Sequence, residues 1–229
     1  MGSSAGRARV VVLTGPSGAG KSRLAGALHT AYRWPIVRLD DFYRDGDEPE
    51  LPQVALGGEP ITDWDHPGSW NAADAIAALA ALVTVGEAEV PRYDIAQSRR
   101  VGTHRVLLGD ATIVIAEGIF AAEIAPDLRD LGLLSRAFCV THGRWGNAAL
   151  RLVRDLKEHR KSPVILLRRG LSLFRREPVI VDRARGLGAA CLPPRRIETE
   201  IARALGASLS PAPDTFGPLS DSAPDRGPR

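Results

Sequence analysis

Gly15-Pro16-Ser17-Gly18-Ala19-Gly20-Lys21-Ser22 constrains this chain more than any other stretch, because it fits G-x-x-x-x-G-K-[ST] in full. Glycines let the backbone wrap an anion closely, with successive N–H groups pointing inward. A strand must deliver the chain into such a turn and a helix must leave it, so that the helix's positive end faces the same anion. Both flanks read that way. Val10–Thr14 is apolar and β-branched, which predicts a buried parallel strand. Lys21–Tyr32 puts Leu24, Ala25 and Leu28 on one face at helical spacing. In a loop of this kind Gly15, Ser17, Gly18, Ala19 and Gly20 cradle phosphates. Lys21 sets a cation on the β- and γ-phosphates, and the Ser22 hydroxyl is a ligand for Mg²⁺. ATP and Mg²⁺ are therefore the expected cofactors, and the loop leaves the phosphate acceptor open.

The remaining chain alternates strands and helices. Pro35–Leu39 reads as a second strand, and residues 42–68, rich in Asp, Glu, Pro and Gly, as a long functional loop. Asn71 is positioned to cap an alanine-rich helix over Ala72–Val85, with Asp74 favourable in its first turn. Val90–Tyr93 reads as an edge strand partnered by Arg105–Leu108, and Ala111–Ala116 as a buried strand. A short helix over Ala121–Leu128, a strand over Ala137–Thr141 and a helix over Arg144–His159 follow, then helical segments near 164–176 and 195–205. This order predicts an α/β fold with a mainly parallel central sheet flanked by helices, its ligands beyond the carboxyl ends of the strands.

Composition narrows the function classes. A length of 229 residues suits one domain of ordinary size, and 44% hydrophobic with 25% charged residues suits a soluble globular one. A formal charge of +3 is too small to imply a nucleic-acid partner and is compatible with handling phosphates. Cys139 and Cys191 form neither a disulfide framework nor a zinc pattern, and are expected to be isolated reduced thiols. The apolar run Val10–Leu13 is too short for a signal-peptide core or a membrane span, which makes a cytoplasmic location the expectation.

Two acidic positions carry the remaining chemistry. Asp40 and Asp41 follow the second strand, where a carboxylate faces the γ-phosphate and could take the proton of an attacking hydroxyl or hold Mg²⁺. The competing assignment is a helix cap or loop charge. Glu117 ends the apolar run 111–116, the place of a metal-contacting acid, and Gly118 permits a sharp exit. His66 is expected to fix its loop by a hydrogen bond. His29, His104, His142 and His159 show no metal-ligand spacing and receive no role.

Six segments in order, GPSGAGKS (15–22), LDDFY (39–43), DWDHPGSW (63–70), PRYDIAQSRR (91–100), AEGIF (116–120) and RLVRD (151–155), resemble uridine kinase and its phosphoribulokinase-related relatives among the P-loop kinases. The resemblance covers about residues 10–160. It implies that Asp40 is the general base on a nucleoside 5′-hydroxyl, that Asp65 binds ribose hydroxyls, and that Trp64 and Tyr93 line the base, with Tyr43 in the same acceptor site. It also implies that Glu117 helps place Mg²⁺, that Arg151 reaches the acceptor, and that Arg154 reaches the transferring phosphate. The implied domain spans 1–207, with a lid near 155–165 and a divergent helical part over 163–207. A tail over 208–229, rich in Pro, Ser, Asp and Gly, is expected to be disordered.

Three departures stand out. Ser98 occupies the place of the histidine that reads the pyrimidine edge. The lid, E-R-G-R-D in the family, is Glu158-His159-Arg160-Lys161-Ser162, which leaves Arg160 to contact the nucleotide. Beyond Pro163 the family pattern stops, and Arg168, Arg169, Arg175 and Arg176 form a basic amphipathic stretch. The expectation is a kinase for a small-molecule acceptor, uridine or cytidine first. It has no nucleic-acid or membrane partner, and the relatives' habit suggests a homo-oligomer. The alternatives are another acceptor (pantothenate, a sugar, another nucleoside) or a nucleotide-dependent regulatory or nucleic-acid-binding module using 168–176.

Overall fold

A computed structural model describes residues 8–55, 60–141 and 178–205. Its centre is a five-stranded sheet whose neighbouring strands all pair in parallel. The chain enters through β1 (Arg9–Thr14), turns through the glycine-rich loop and leaves as α1 (Lys21–Tyr32). β2 (Ile36–Arg38) follows, then a 3-10 turn over Leu39–Phe42. A two-stranded antiparallel pair, β3 (Gln53–Ala55) and β4 (Pro60–Thr62), precedes α2 (Ala72–Val85). A second antiparallel pair is formed by β5 (Glu87–Asp94) and β6 (Arg99–Leu107). β7 (Ile113–Glu117), α3 (Ala125–Asp130) and β8 (Leu134–Val140) come next. Helical residues 178–186 (α4), β9 (Ala190–Leu192) and α5 (Pro194–Ala204) complete the described chain.

Strand order is β2-β7-β1-β8-β9, which puts β1 at the centre. Its alternation decides which side chains go to which face. Val10 and Val12 join Val114, Ala116, Leu79, Leu82 and Leu128 on one face. Val11 and Leu13 join Ile113, Ile115, Leu24, Leu28, Ile197 and Ile201 on the other. All five β7 side chains are buried, and each large aliphatic so placed contributes roughly 1.5–3 kcal/mol. The result is three layers, with α2, α3 and α4 on one side of the sheet and α1 and α5 on the other.

Register aligns the carboxyl ends. Leu13 pairs with Glu117, Arg38 also pairs with Glu117, and Thr14 pairs with Cys139. The glycine-rich loop, Asp40 and Glu117 therefore emerge along one edge of the sheet.

The structure corrects several expectations. Residues 42–68 are not an uninterrupted loop. They hold β3, β4 and a 3-10 turn over Pro67–Ser69, elements so short that no periodicity announces them. The β5–β6 pair is longer than Val90–Tyr93 with Arg105–Leu108, because charged residues occupy its solvent side: Glu87 pairs with Arg105, and Thr103 donates to Glu89 at 2.8 Å. β9 and α4 were not anticipated. Nor are the cysteines isolated, since Cys139 and Cys191 are register partners on β8 and β9. Both thiols are free, and burial, with Cys191 alongside, pushes Cys139 up to about 12. The helix expected over Arg144–His159, the segment 164–176, the lid and the tail lie outside the described residues. Among the described residues no helix is long and apolar enough to cross a membrane.

Candidate active site

The phosphate end is built first by backbone geometry. Gly15, Gly18 and Gly20 take φ values of 136°, 81° and 88°, in the left-handed region that side chains disfavour. At Gly15 the constraint is double, because a Cβ there would lie 2.6 Å from the carbonyl oxygen of Val140 on β8. Ala19 donates its N–H to the Pro16 carbonyl at 3.1 Å and closes the turn. The Lys21 ammonium donates to the Gly15 and Pro16 carbonyls at 2.8 and 3.2 Å, so it spans the mouth of the loop.

Two acids flank that loop. The Ser22 hydroxyl donates to the Glu117 carboxylate, 3.2 and 3.1 Å from its two oxygens. Glu117 is only 6% exposed. Burial raises its pKa, the neighbouring Asp40 charge adds to the rise, and Lys21, the Ser22 bond and Arg38 oppose it. Asp40 itself is exposed to solvent, and its Oδ1 accepts the Ile119 N–H at 3.3 Å. Gly118 makes this approach possible: a Cβ at that position would come within 2.9 Å of Leu39 Cβ and 3.0 Å of Asp40 Oδ1. Thr14 donates to the Ile119 carbonyl at 2.9 Å and pins the exit of β7 against β1. Among the described residues no group of three His, Cys, Asp or Glu side chains stands ready to hold a metal alone. A hydroxyl and one or two carboxylates beside a phosphate cradle instead fit Mg²⁺, which takes its remaining ligands from water and substrate phosphates.

The other end of the candidate site is aromatic. Tyr43 lies at the centre of a cluster, its ring 5.8 Å from Trp64, 5.7 Å from Tyr93 and 6.0 Å from Phe120 between centroids. Phe120 stacks in turn on Trp70. The Tyr43 hydroxyl donates to the Trp64 carbonyl at 3.2 Å. Burial raises its pKa, and the Asp40 and Asp65 charges add to the rise, which places both carboxylates near the phenol. The Tyr93 hydroxyl donates to the Arg44 carbonyl at 3.1 Å. Burial, then Asp45 and Glu48, push Tyr93 up to about 12 against the opposing Arg100.

Backbone bonds sew these segments together. Asn71 N–H reaches the Phe42 carbonyl at 2.8 Å, Arg44 N–H reaches Ser69 at 2.9 Å, and Asp45 accepts from Arg100 N–H at 2.7 Å. His66 fixes its turn as expected, its Nδ1 accepting from Gly68 N–H at 3.0 Å. Ser98 has φ 49° and accepts Gly46 N–H at 2.7 Å. A Cβ on Gly46 would touch both Ser98 and the Trp64 ring edge, so Ser98 lies close to this aromatic cluster.

No protein-family model matches the chain. A solved structure from Silicibacter sp. TM1040, provisionally named a fructose transport system kinase, superposes with a TM-score of 0.54 at 20% identity over 84% of this chain and 90% of that one. A Bacillus stearothermophilus protein provisionally named a uridine kinase gives a TM-score of 0.46 at 16% identity, covering 67% of this chain and 81% of that one. The chain has a P-loop kinase fold.

Within that P-loop kinase fold, the structure brings Lys21, Ser22, Asp40 and Glu117 to the carboxyl end of the sheet, and gathers Trp64, Tyr93, Asp65 and Asp40 around Tyr43. Arg151, Arg154 and Arg160 lie outside the described residues. Sequence reasoning missed Phe120, although it closes the AEGIF segment. Asp41, named with Asp40 from the sequence, accepts the Tyr93 N–H on its Oδ1 at 3.4 Å, a partner 52 residues further on that no local signal announces.

Proposed function

We propose that this protein transfers the γ-phosphoryl group of Mg·ATP to a hydroxyl of a small molecule, a nucleoside 5′-hydroxyl first among the candidates. One observation supports this reading above the others: the solvent-exposed Asp40 carboxylate, oriented by the Ile119 N–H, is close enough for its charge to act on both Glu117, which holds Ser22, and Tyr43 of the aromatic cluster. The glycine-rich turn holds the triphosphate, and Lys21 leaves its loop carbonyls for the β- and γ-phosphates. Ser22 and Glu117 would hold Mg²⁺, which would supply charge neutralisation on the phosphates. Asp40 takes the hydroxyl proton as the acceptor oxygen bonds to γ-phosphorus and the bond to ADP breaks, with the electron pair leaving on ADP. Asp65 orients acceptor hydroxyls, while Tyr43, Trp64 and Tyr93 form the apolar wall. By the resemblance, Arg151 reaches the acceptor and Arg154 and Arg160 the phosphates.

Ser98 favours a second reading. A short hydroxyl where the family has an imidazole removes the donor that would select a pyrimidine, so a sugar, pantothenate or another nucleoside is the alternative acceptor. ADP release from Mg·ATP, measured against uridine, cytidine, purine nucleosides, fructose and pantothenate with Asp40→Asn in parallel, decides between them. Asp40-dependent turnover on uridine or cytidine supports the first reading and turnover on fructose or pantothenate the second. Acceptor-dependent turnover unaffected by Asp40→Asn would overturn the mechanism.

A further inference from the structure

Asp40 accepts the Ile119 N–H whereas Asp41 accepts the Tyr93 N–H, and Asp41 borders a cleft of about 370 Å³ lined by Ile36, Arg38, Asp41, Arg92, Tyr93 and His104. The cleft lies between the outer edge of β2 and the β5–β6 pair. Neither the phosphate cradle nor the Asp40–Glu117 pair contributes to it. Its charge is unbalanced toward cations. Arg38 is 65% exposed, with its Nε 3.9 Å from Asp41, a loose pairing. Arg92, exposed on β5, has no side-chain partner among the described residues. Among the described residues Asp41 is the one carboxylate in the lining, and it already accepts the Tyr93 N–H. His104, register partner of Val90, buries its Nδ1 with no hydrogen-bond partner, so no bond at that nitrogen holds the ring in place. The Ile36 side chain and the Tyr93 ring supply an apolar wall.

We infer that this cleft is a second anion site, separate from the glycine-rich loop, for a small phosphate monoester. Two guanidinium groups on different elements can each offer paired N–H donors to one phosphate, and the organic part then lies against Ile36 and Tyr93. The volume is at the lower end for ligand pockets, which limits the ligand to a short molecule. Tyr93 is the shared wall: its N–H is held by Asp41 and its ring lies 5.7 Å from Tyr43. An occupant of the cleft would therefore bear on the acceptor cluster from behind.

Calorimetric titration of the full chain with glycerol 3-phosphate, and separately with inorganic phosphate, tests this without any assay of turnover. Lys21→Ala removes the cation of the glycine-rich loop, while Arg92→Ala and Arg38→Ala act on the cleft. Both arginines are exposed, so melting temperatures should not change. Should one variant nevertheless fail to fold, the other carries the test. The expected result is binding that persists in Lys21→Ala and weakens about tenfold or more in Arg92→Ala and in Arg38→Ala, the loss typical of a charge-assisted hydrogen bond. Preference for glycerol 3-phosphate would assign the site to a monoester, and equal binding of inorganic phosphate would assign it to the free ion. Absence of binding, or binding lost in Lys21→Ala and indifferent to both arginine variants, would overturn the inference.

Discussion

The two ends of the candidate site are held by different forces. The phosphate end hangs on three adjacent strands, β7, β1 and β8, whose side chains are buried on both faces of the sheet. The acceptor end is assembled from turns and a two-stranded pair, joined by single hydrogen bonds such as Arg100 N–H to Asp45 and Tyr93 N–H to Asp41. The first is over-determined by packing, so its geometry tolerates little. The second is a set of local polar contacts that can be retuned singly. Under the proposed function, the chemistry that must not vary would sit on the first, and acceptor selection on the second.

The comparison can be broken at several points. Asp40→Asn should lower turnover by about 10²–10⁴-fold with an unchanged melting temperature; a loss below about threefold would remove Asp40 as the base. Trp64→Ala should raise the acceptor KM by about tenfold while leaving the ATP KM within about twofold, which steady-state kinetics in both substrates would show. Equal effects on both substrates would mean that the two ends are not separable. Gly15→Ala combines a φ of 136° with a 2.6 Å approach to the Val140 oxygen. It should cost about 2–3 kcal/mol and lower the melting temperature by several degrees. Asp45→Ala should cost about 1 kcal/mol. Amide exchange should then quicken in β5 and β6 and stay unchanged in β1.

The smallest effect concerns Glu117. Its raised pKa means that the folded chain takes up a proton at this position more readily than the unfolded chain. Its ionised form is therefore a stability cost that appears as pH rises through the raised pKa and fades as pH falls. Glu117→Gln should melt about 2–4 °C higher than the parent chain at pH 8 without Mg²⁺, with the gain shrinking toward pH 5. A gain that grows on acidification would contradict the burial argument.

Those differences also explain what could be read in advance. α1 and α2 fall on the residues expected, Lys21–Tyr32 and Ala72–Val85, because the helical spacing of Leu24, Ala25 and Leu28 marks the first, and the Asn71 cap with an alanine-rich run marks the second. β1 and β7 announce themselves as apolar runs. β9 does not, since Ala190–Leu192 is three residues paired on one edge. The β5–β6 pair was underestimated because its exposed face is polar, and its length is set by cross-strand partners far away in sequence. At the site, Lys21, Ser22, Asp40 and Glu117 could be singled out because each follows or ends an apolar run, whereas Thr14, which ends β1, could not. The bonds that orient them, Ile119 to Asp40 and Asp41 to Tyr93, depend on segments that meet only in three dimensions. The same holds for the juxtaposition of Cys139 and Cys191.

The central position of β1 bears on synthesis as well as on catalysis. Its partners arrive late: Thr14 bonds to Ile119, 105 residues further on, and β8 must also be in place before Gly15 has its wall. Closing such long loops is slow and comes after local structure. The glycine-rich loop precedes β7 and β8 in the chain, and should therefore become competent only after both have been made. A nascent chain halted before β8 should carry a complete nucleotide signature and retain no nucleotide.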